Sequence, residues 1–372
     1  MRIGVPSETQ TGETRVALTP ETAKKLKAQG HALFVQAGAG LAASVTDAAY
    51  TAAGAEICDA ARALACELVL KVRAPDAAEL ALMPPGTALV GLLEPFNRAG
   101  LQALADARLT AFALEAAPRT TRAQSMDVLS SQANIAGYKA VMIAAHTYQR
   151  FMPMLMTAAG TVKAARVVVL GVGVAGLQAI ATAKRLGAVI EASDVRPSVK
   201  EQVESLGAKF IDVPYETAEE KEAAEGVGGY ARPMPASWLE RQKLEVAKRV
   251  AAADIVITTA LIPGRAAPVL VSEDMVRAMK PGSVIVDLAA PNGGNCPLTE
   301  AGKTVVKHGV TLIGETNLAA LVAADASALY SRNVLDFLKL VLDKDAAALK
   351  IDLEDDIVKA CLMCRDGQLL RN

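Results

Sequence analysis

Short apolar runs alternate with helix-forming stretches along most of this chain, and few folds accommodate that alternation. The first series of apolar runs comprises Arg2–Val5, His31–Gln36, Glu67–Val72, Ala88–Leu93 and Leu109–Phe112. The second series comprises Arg166–Leu170, Ala188–Ala192, Lys209–Val213, Ile255–Thr259, Ser283–Leu288 and Thr311–Gly314. Strands that alternate with helices are typical of parallel sheets covered by helices. The predicted fold class is therefore α/β, with two doubly wound, Rossmann-like domains built on mostly parallel sheets.

Long helices are expected to join these domains, and the 372 residues are enough for about two domains. Ser130–Thr147 is helical in pattern and has no proline, and the pattern is helical again over Ala319–Leu342. The tail has no strand series of its own, so we expect it to pack back on the first domain. The prediction is a discontinuous first domain, residues 1–133 and 319–372, and a second domain, residues 134–318.

Composition and charge exclude several classes of function. The 39 basic and 40 acidic residues leave a net charge of −1 without a basic stripe, so no nucleic-acid partner is expected. The longest uncharged run, between Arg166 and Lys184, contains three glycines and is better explained by a strand, a turn and a helix start than by a membrane span. No signal-peptide core opens the chain, and Cys361-x-x-Cys364 has no second Cys or His pair that would complete a metal site. We expect a cytoplasmic protein with reduced cysteines and no metal.

The sharpest motif is Gly171-Val-Gly173-Val-Ala-Gly176, between an apolar strand and a helical stretch. In such a motif the glycines allow a tight turn, close approach of a pyrophosphate and close helix–strand packing. Asp194 ends the next predicted strand, where an acid binds the adenosine ribose of NAD(H) and repels the 2′-phosphate of NADP(H). Arg196 could accommodate that phosphate, and a strand–helix turn without a ligand is the alternative; we expect NAD(H).

Two further segments follow predicted strands, at the edge of the sheet where ligands bind in such folds. They are Thr258–Gly264 and Asp287–Gly294. Leu261 in the first segment is expected either to form an apolar wall for the cofactor or to belong to the core.

A polar cluster precedes the helix predicted to start near Ser130. It runs from Pro118 to Ser131 and includes Arg119, Gln124 and Asp127. These side chains can orient a ribose, an amide and a water, and we expect them to face the cleft between the domains. The alternative is a solvated helix start, capped by Asp127 or Ser130.

General acid–base candidates are scarce, since none of the three histidines, His31, His146 and His308, accompanies a motif. Oxidation of an alcohol or amine moves a proton as well as a hydride. Hydride exchange between two nicotinamides needs only two rings held close together with water excluded.

The chain also resembles a known protein family. The opening Gly4-Val-Pro6-Ser-Glu8…Gly12-Glu-Thr-Arg15-Val-Ala-Leu-Thr19-Pro20-Glu21 is similar to the shared start of alanine dehydrogenases and the NAD(H)-binding component of proton-translocating transhydrogenases. The resemblance covers nearly the whole chain. Residues 119–130 resemble the loop that orients the nicotinamide in transhydrogenases, and they are followed by the equally similar Met156–Thr161 and 171–187.

The resemblance implies roles for individual residues. Arg119, Gln124, Asp127 and Ser130 would position the dihydronicotinamide and its ribose, and these four form the catalytic set. Gln124, Ser125, Met126 and Asp127 would bind the cofactor. Val172, Gly173 and Val174 would carry the pyrophosphate, with Gly171 and Gly176 as the other cofactor-binding residues of that turn. Asp194, Val195 and Arg196 would bind the adenosine ribose. Gly229 and Tyr230 match a loop that closes over the nucleotide in the family, although this chain is slightly longer ahead of Gly228.

Departures from alanine dehydrogenase are equally informative. That family uses an arginine and a lysine to grip the substrate, and Arg15 and Lys71 stand at matching positions. Its acid–base histidine is absent from Gly91-Leu-Leu-Glu-Pro95, and Pro291 stands in place of a second aspartate. Without that histidine and aspartate, amino-acid oxidation loses its proton handling, so Arg15 and Lys71 are ancestral or structural.

The resemblance therefore implies the NAD(H)-binding subunit of a proton-translocating NAD(P)⁺ transhydrogenase, Si/Re-specific. It implies direct hydride transfer to NADP⁺ on a partner subunit, membrane-spanning partners, a homodimer and a place on the cytoplasmic face of the membrane. One alternative is an NAD-dependent amino-acid dehydrogenase related to alanine or saccharopine dehydrogenase. The other is a nucleotide-binding regulatory protein without catalysis.

Overall fold

A computed structural model describes residues 1–225, 234–343, 346 and 348–371. The chain divides into two compact units, residues 1–132 with 319–372, and residues 133–318. Each unit contains a doubly wound, mostly parallel sheet, which confirms the predicted α/β class. Within the described residues, no helix combines the length and the apolar character needed to cross a bilayer.

The first unit is built on an eight-stranded sheet. Its strands are β1 (Arg2–Val5), β2 (Ala32–Gln36), β3 (Glu56–Cys58), β4 (Leu68–Arg73), β5 (Ala88–Leu92), β6 (Thr110–Ala113), β18 (Leu362–Arg365) and β19 (Gln368–Leu369). Two further strands, β16 (Leu342–Asp343) and β17 (Ala348–Leu349), form a separate hairpin. The order in the sheet is β19-β18-β6-β5-β4-β1-β2-β3; β1 to β6 are parallel, and β18 pairs antiparallel with both β6 and β19.

Helices cover both faces of this sheet, because successive strand residues point to opposite faces and both sets are apolar. Leu68 and Leu70 belong to one core cluster, whereas Val69 belongs to the other. The helices are α1 (Pro20–Ala28), α2 (Asp47–Ala52), α3 (Ala60–Leu64), α4 (Ala77–Leu82), α5 (Arg98–Asp106), α12 (Ala323–Val341) and α13 (Asp356–Cys361). Helix α12 joins the larger cluster through Phe337, whose ring lies 5.5 Å from that of Phe112.

The tail packs on the first unit and contributes two short strands to its sheet, which the sequence pattern does not indicate. Strands β18 and β19 extend the sheet beyond β6, with Met363 and Cys364 buried in its core. The apolar run here is only a few residues long, which leaves no periodic signal. Cys361 and Cys364 are buried thiols whose pKa values burial raises to about 12 and about 11.

The second unit contains a seven-stranded sheet and a separate hairpin formed by β7 and β8. Its strands are β7 (Leu155–Thr157), β8 (Gly160–Val162), β9 (Arg166–Leu170), β10 (Val189–Ser193), β11 (Lys209–Phe210), β12 (Ile255–Thr258), β13 (Val284–Asp287), β14 (Thr304–Lys307) and β15 (Val310–Ile313). The order is β11-β10-β9-β12-β13-β15-β14, and only β14 is antiparallel within this sheet. The chain order reverses at β9, so the carboxyl end of β9 is the topological switch point where ligands bind in such sheets.

The remaining helices are α6 (Val128–Thr147), α7 (Val174–Arg185), α8 (Lys200–Ser205), α9 (Ala218–Glu225), α10 (Ala236–Ala252) and α11 (Glu273–Ala278). The chain passes from the first unit to the second within the long helix α6. It returns through a short 3₁₀ turn, Leu318–Val322, that leads into α12.

One carboxylate of the first unit is buried without full pairing. Glu115 follows β6, and its Oε1 accepts a hydrogen bond from the Glu94 amide at 2.7 Å. Its Oε2 has no hydrogen-bond partner among the described residues. Burial raises the pKa of Glu115 to about 7, although nearby backbone amides oppose that rise. The side chain therefore titrates near neutral pH.

We expect Glu115 to make the stability of the chain depend on pH between about 4.5 and 7. The folded state holds this proton more tightly than the unfolded chain, so the free energy of unfolding falls by about 3 kcal/mol as pH rises through that range. Glu115→Gln removes this contribution. Urea unfolding at both ends of the range measures this effect. The free energy of unfolding of Glu115→Gln relative to that of the natural chain should be higher at the upper pH than at the lower one. The same relative value at both pH values would contradict the assignment.

Candidate dinucleotide site

The three glycines of the turn between β9 and α7 meet different surroundings. Gly171 has a φ of +93°, and a Cβ there would lie 2.8 Å from Thr259 Oγ1. A Cβ on Gly176 would lie 2.1 Å from the Gly171 oxygen, so helix and turn pack backbone to backbone. A Cβ on Gly173 would meet no atom within 4 Å. The fold itself thus requires the first and third glycines, whereas the second borders open space.

Backbone N–H groups face that space. Gly173 precedes α7 as its N-cap residue, and the first intrahelical bond joins the Leu177 amide to the Gly173 oxygen at 2.9 Å. The amides before Leu177 have no intrahelical acceptor, and they lie at the positive end of the helix dipole. This arrangement suits a phosphate group.

Asp194 is tied to the same turn. Its Oδ2 accepts a hydrogen bond from the Val172 amide at 2.7 Å, and its Oδ1 accepts from the Arg196 amide at 2.9 Å. The Arg196 guanidinium lies across the carboxylate and also donates to the Val172 oxygen at 3.2 Å. Asp194 and Arg196 are therefore held together at the end of β10. The intervening Val195 packs against a small cluster that includes Trp238.

The segment after β12 is held beside the turn by Asn295, a residue that no sequence motif singles out. The Asn295 amide group donates to the Ala260 oxygen at 2.9 Å and accepts from the Ala260 amide at 3.1 Å. The buried Asp287 accepts from the Asn295 backbone amide at 2.8 Å. Thr259 Oγ1 donates to the Gly171 oxygen at 2.8 Å. Leu261 is half exposed, so it lies at the surface rather than in the core.

The polar segment of the first unit presents some side chains and buries others. Arg119, Gln124 and Ser125 are exposed, whereas Met126 is buried in the core. A short 3₁₀ turn, Gln124–Met126, precedes α6. Gln124 and Ser125 therefore present exposed polar side chains, whereas the side chain of Met126 is buried.

Asp127, and not Ser130, is the residue that caps the amino end of α6. Asp127 Oδ1 accepts from the Ser130 amide at 2.8 Å, and its Oδ2 accepts from the Ser130 hydroxyl at 2.6 Å. Both residues remain partly exposed. Gly229 and Tyr230 lie outside the described residues.

Lys71 is fully buried between two carboxylates of its own unit. Its Nζ lies 2.6 Å from Glu79 and 3.4 Å from Glu8. Burial raises the pKa of Glu8 even though the Lys71 charge opposes that rise. Glu8 also accepts hydrogen bonds from the Val72 and Arg73 amides.

Arg15 is paired in the same internal way. Its guanidinium donates to Glu13 at 2.6 Å and to Gln132 at 2.9 Å. Burial would raise the pKa of Glu13, but hydrogen bonds and charge from Arg15, with the charge of Arg73, hold that pKa at about 2. Arg15 and Lys71 thus meet carboxylates supplied by the chain itself.

His31 and His308 are not among the residues of either set. His31 is buried, and burial lowers its pKa; His308 is bonded to Glu273 at 2.9 Å. At the position where a histidine is expected in alanine dehydrogenase, Leu93 is buried in the core. Within the described residues, no cluster of three His, Cys, Asp or Glu side chains could hold a metal.

Two doubly wound units, with a glycine turn at the switch point of the second, define a Rossmann-like α/β protein of two domains. The chain belongs to the alanine dehydrogenase/PNT family: the model of its N-terminal domain matches residues 4–136, and that of its C-terminal domain matches residues 140–372. The resemblance seen in the sequence is confirmed.

Within the family, the chain is more similar to transhydrogenase subunits than to alanine dehydrogenases. The chain is 53% identical to a chain of the NAD(P) transhydrogenase alpha subunit from Rhodospirillum rubrum, over 100% of this chain and 98% of the relative. It is 32% identical to the alanine dehydrogenase of Halomonas elongata, over 99% of this chain and 94% of the relative. The crystal structure of transhydrogenase from Sinorhizobium meliloti superposes with a TM-score of 0.90 at 47% identity, covering 99% of this chain and 100% of that one.

Substitution of the glycines should separate folding from nucleotide binding. We expect Gly176→Ala to lower the free energy of unfolding by about 3 kcal/mol, because its Cβ would overlap the Gly171 oxygen. Gly173→Ala should change that free energy by less than about 1 kcal/mol and weaken NADH binding at least about tenfold, because its methyl group would occupy the open space. Urea unfolding and titration calorimetry measure the two effects. Unchanged NADH affinity in Gly173→Ala would contradict this use of the turn.

Proposed function

We propose that this chain is the NAD(H)-binding component of a proton-translocating transhydrogenase. It binds NADH and passes hydride directly to NADP⁺ held by a partner subunit. The observation that carries this choice within the family is the internal pairing of Arg15 and Lys71. In an amino-acid dehydrogenase, the matching arginine and lysine are needed for the substrate carboxylate.

The β9–α7 turn supports the binding half of the proposal. The pyrophosphate would approach the backbone at Gly173 and accept hydrogen bonds from the amides at the start of α7. Asp194 would bind the adenosine ribose after its bonds to Arg196 rearrange, and its charge would repel a 2′-phosphate. The pairing of Arg196 with Asp194 supports NAD(H) over NADP(H), because it holds the guanidinium against the carboxylate and away from a 2′-phosphate.

The polar segment would position the nicotinamide. NADH supplies the hydride, and the transfer needs no proton donor, which fits a segment whose amide, hydroxyl, carboxylate and guanidinium groups can orient a ring and a ribose. Gln124 would orient the carboxamide and ribose from its exposed position. Asp127 and Ser130, already bonded to each other, would add a fixed polar edge. Arg119 would complete the catalytic set.

The alternative activity, NAD-dependent oxidation of an amino acid, lacks its substrate site. A carboxylate ligand would have to displace Glu13 from Arg15 or Glu79 from Lys71, and each displaced carboxylate would remain buried. Removing one partner of a buried ion pair costs about 3–5 kcal/mol. The exclusion of a substrate carboxylate therefore argues against amino-acid oxidation. The lack of a histidine at Gly91–Pro95 argues against it as well.

The partners follow from the proposed reaction. An NADP(H)-binding subunit receives the hydride, and membrane-spanning subunits couple the transfer to proton movement and hold this component on the cytoplasmic face. We include a homodimer, because Phe151, Met154 and Met156 leave large apolar side chains exposed beside the β7–β8 hairpin. Exposed apolar groups of this kind mark protein–protein contacts.

Hydride transfer by the purified chain tests this function. With NADH, pyruvate and ammonium we expect no turnover, and with an NADP⁺-loaded partner component we expect rapid transfer. Gln124→Asn and Asp127→Asn should lower the transfer rate at least about tenfold while changing NADH affinity less than about threefold.

Gln102→Asn and Asp106→Asn are matched controls on the exposed face of α5. They should leave both quantities unchanged. Steady turnover with pyruvate and ammonium would overturn the proposal in favour of an amino-acid dehydrogenase. Nucleotide binding without turnover in the presence of the partner subunits would favour a regulatory protein.

A further inference from the structure

A buried amide on α12 is bonded to the middle and to the end of the polar segment. Asn333 Nδ2 donates to the Ser125 oxygen at 2.7 Å, and Asn333 Oδ1 accepts from the Ser131 hydroxyl at 2.7 Å. The Asn333 side chain is largely removed from solvent. One amide group therefore bridges the 3₁₀ turn and the first turn of α6, with Asp127 and Ser130 between its two attachment points.

Other contacts hold the segment at different places. Arg122 is paired with Asp355 and Asp356 next to α13, which anchors the beginning of the segment. The buried side chain of Met126 anchors its inner side. Asn333 is bonded to both Ser125 and Ser131, and these contacts add to the hydrogen bonds within the segment in setting where Gln124 and Asp127 stand.

The bridge requires an amide. Ser125 presents a carbonyl oxygen that accepts from Asn333, and Ser131 presents a hydroxyl that donates to Asn333 and also lies 3.2 Å from the Val128 oxygen. An amide supplies both groups at the spacing of one side chain. Leucine has nearly the same volume but supplies neither, and an ionised aspartate would place a negative charge against the Ser125 oxygen.

We propose that Asn333 is a positioning residue for hydride transfer, a role that rests on the function proposed above. It touches neither nucleotide; it acts by holding the 3₁₀ turn against α6, so that Gln124, Asp127 and Ser130 keep one arrangement. A displacement of about 1 Å in a reacting geometry lowers a rate by about a hundredfold.

The test uses the full chain with its NADP⁺-loaded partner component, and compares Asn333→Leu with a control on the same helix. We expect Asn333→Leu to lower the rate of hydride transfer at least about tenfold while the dissociation constant for NADH changes less than about threefold. The control is Ser331→Ala, since Ser331 is also buried on α12 but bonds to the Thr19 amide. It should change neither quantity.

Asn333→Asp adds a second readout. A protonated aspartic acid can donate to the Ser125 oxygen and accept from Ser131, whereas the ionised form cannot donate. The transfer rate of Asn333→Asp relative to the natural chain should therefore recover as pH falls towards about 5.5, while that of Asn333→Leu should not. If Asn333→Leu fails to fold, this recovery decides the question. A transfer rate unchanged in a folded Asn333→Leu, or reduced equally in Ser331→Ala, would overturn the proposal.

Hydrogen exchange separates this role from the function on which it rests. Amides of residues 125–131 should exchange faster in Asn333→Leu than in the natural chain, whether or not hydride is transferred. Unchanged exchange there would refute the positioning role by itself. A natural chain that transfers no hydride to the partner component would instead refute the proposed function.

Discussion

The start of α7 approaches its neighbours backbone to backbone, and the geometry of the second unit depends on that approach. A Cβ on Gly176 would lie 2.1 Å from the Gly171 oxygen, and one on Gly137 of α6 would lie 2.1 Å from the Ala175 oxygen. Strand β9, its turn and two helices can therefore meet only where side chains are absent. This contact places the amino end of α7 at the switch point of the sheet, with its amides beside the open space at Gly173. The proposed pyrophosphate position is thus a consequence of packing that the unit needs in order to fold.

The first unit is organised by buried charge. Lys71, Arg15 and their carboxylate partners lie in its interior, where each ion is costly unless it is fully paired. Such a network gives little net stability, but it leaves no cation available to a substrate. A family that contains both amino-acid dehydrogenases and transhydrogenase subunits can therefore retain the same arginine and lysine while the chemistry differs. Under the proposed function, the exposed polar segment before α6 is the part of this unit that would meet the nicotinamide.

Features with a local signal could be predicted from the sequence. The long apolar strands, the glycine turn, the start of α1 at Pro20 and the long helix α6 all follow from patterns a few residues apart. The short strands β3, β14, β18 and β19 do not, because two to four residues are too few to show a clear period. Asn333 and Asn295 could not be selected either: Asn333 contacts Ser125 across 208 residues of sequence, and Asn295 contacts Ala260 across 35. Only the folded backbone brings those groups together.

Direct transfer between two nucleotides is the central claim, and the fate of an isotope tests it most directly. NADH that carries deuterium at the transferred position would be mixed with this chain and its NADP⁺-loaded partner component, and the NADPH formed would be examined by mass spectrometry. We predict that the deuterium appears in NADPH without loss to water, because the polar segment holds the ring but provides no group that could exchange the hydride. NADPH that contains hydrogen from solvent would contradict direct transfer.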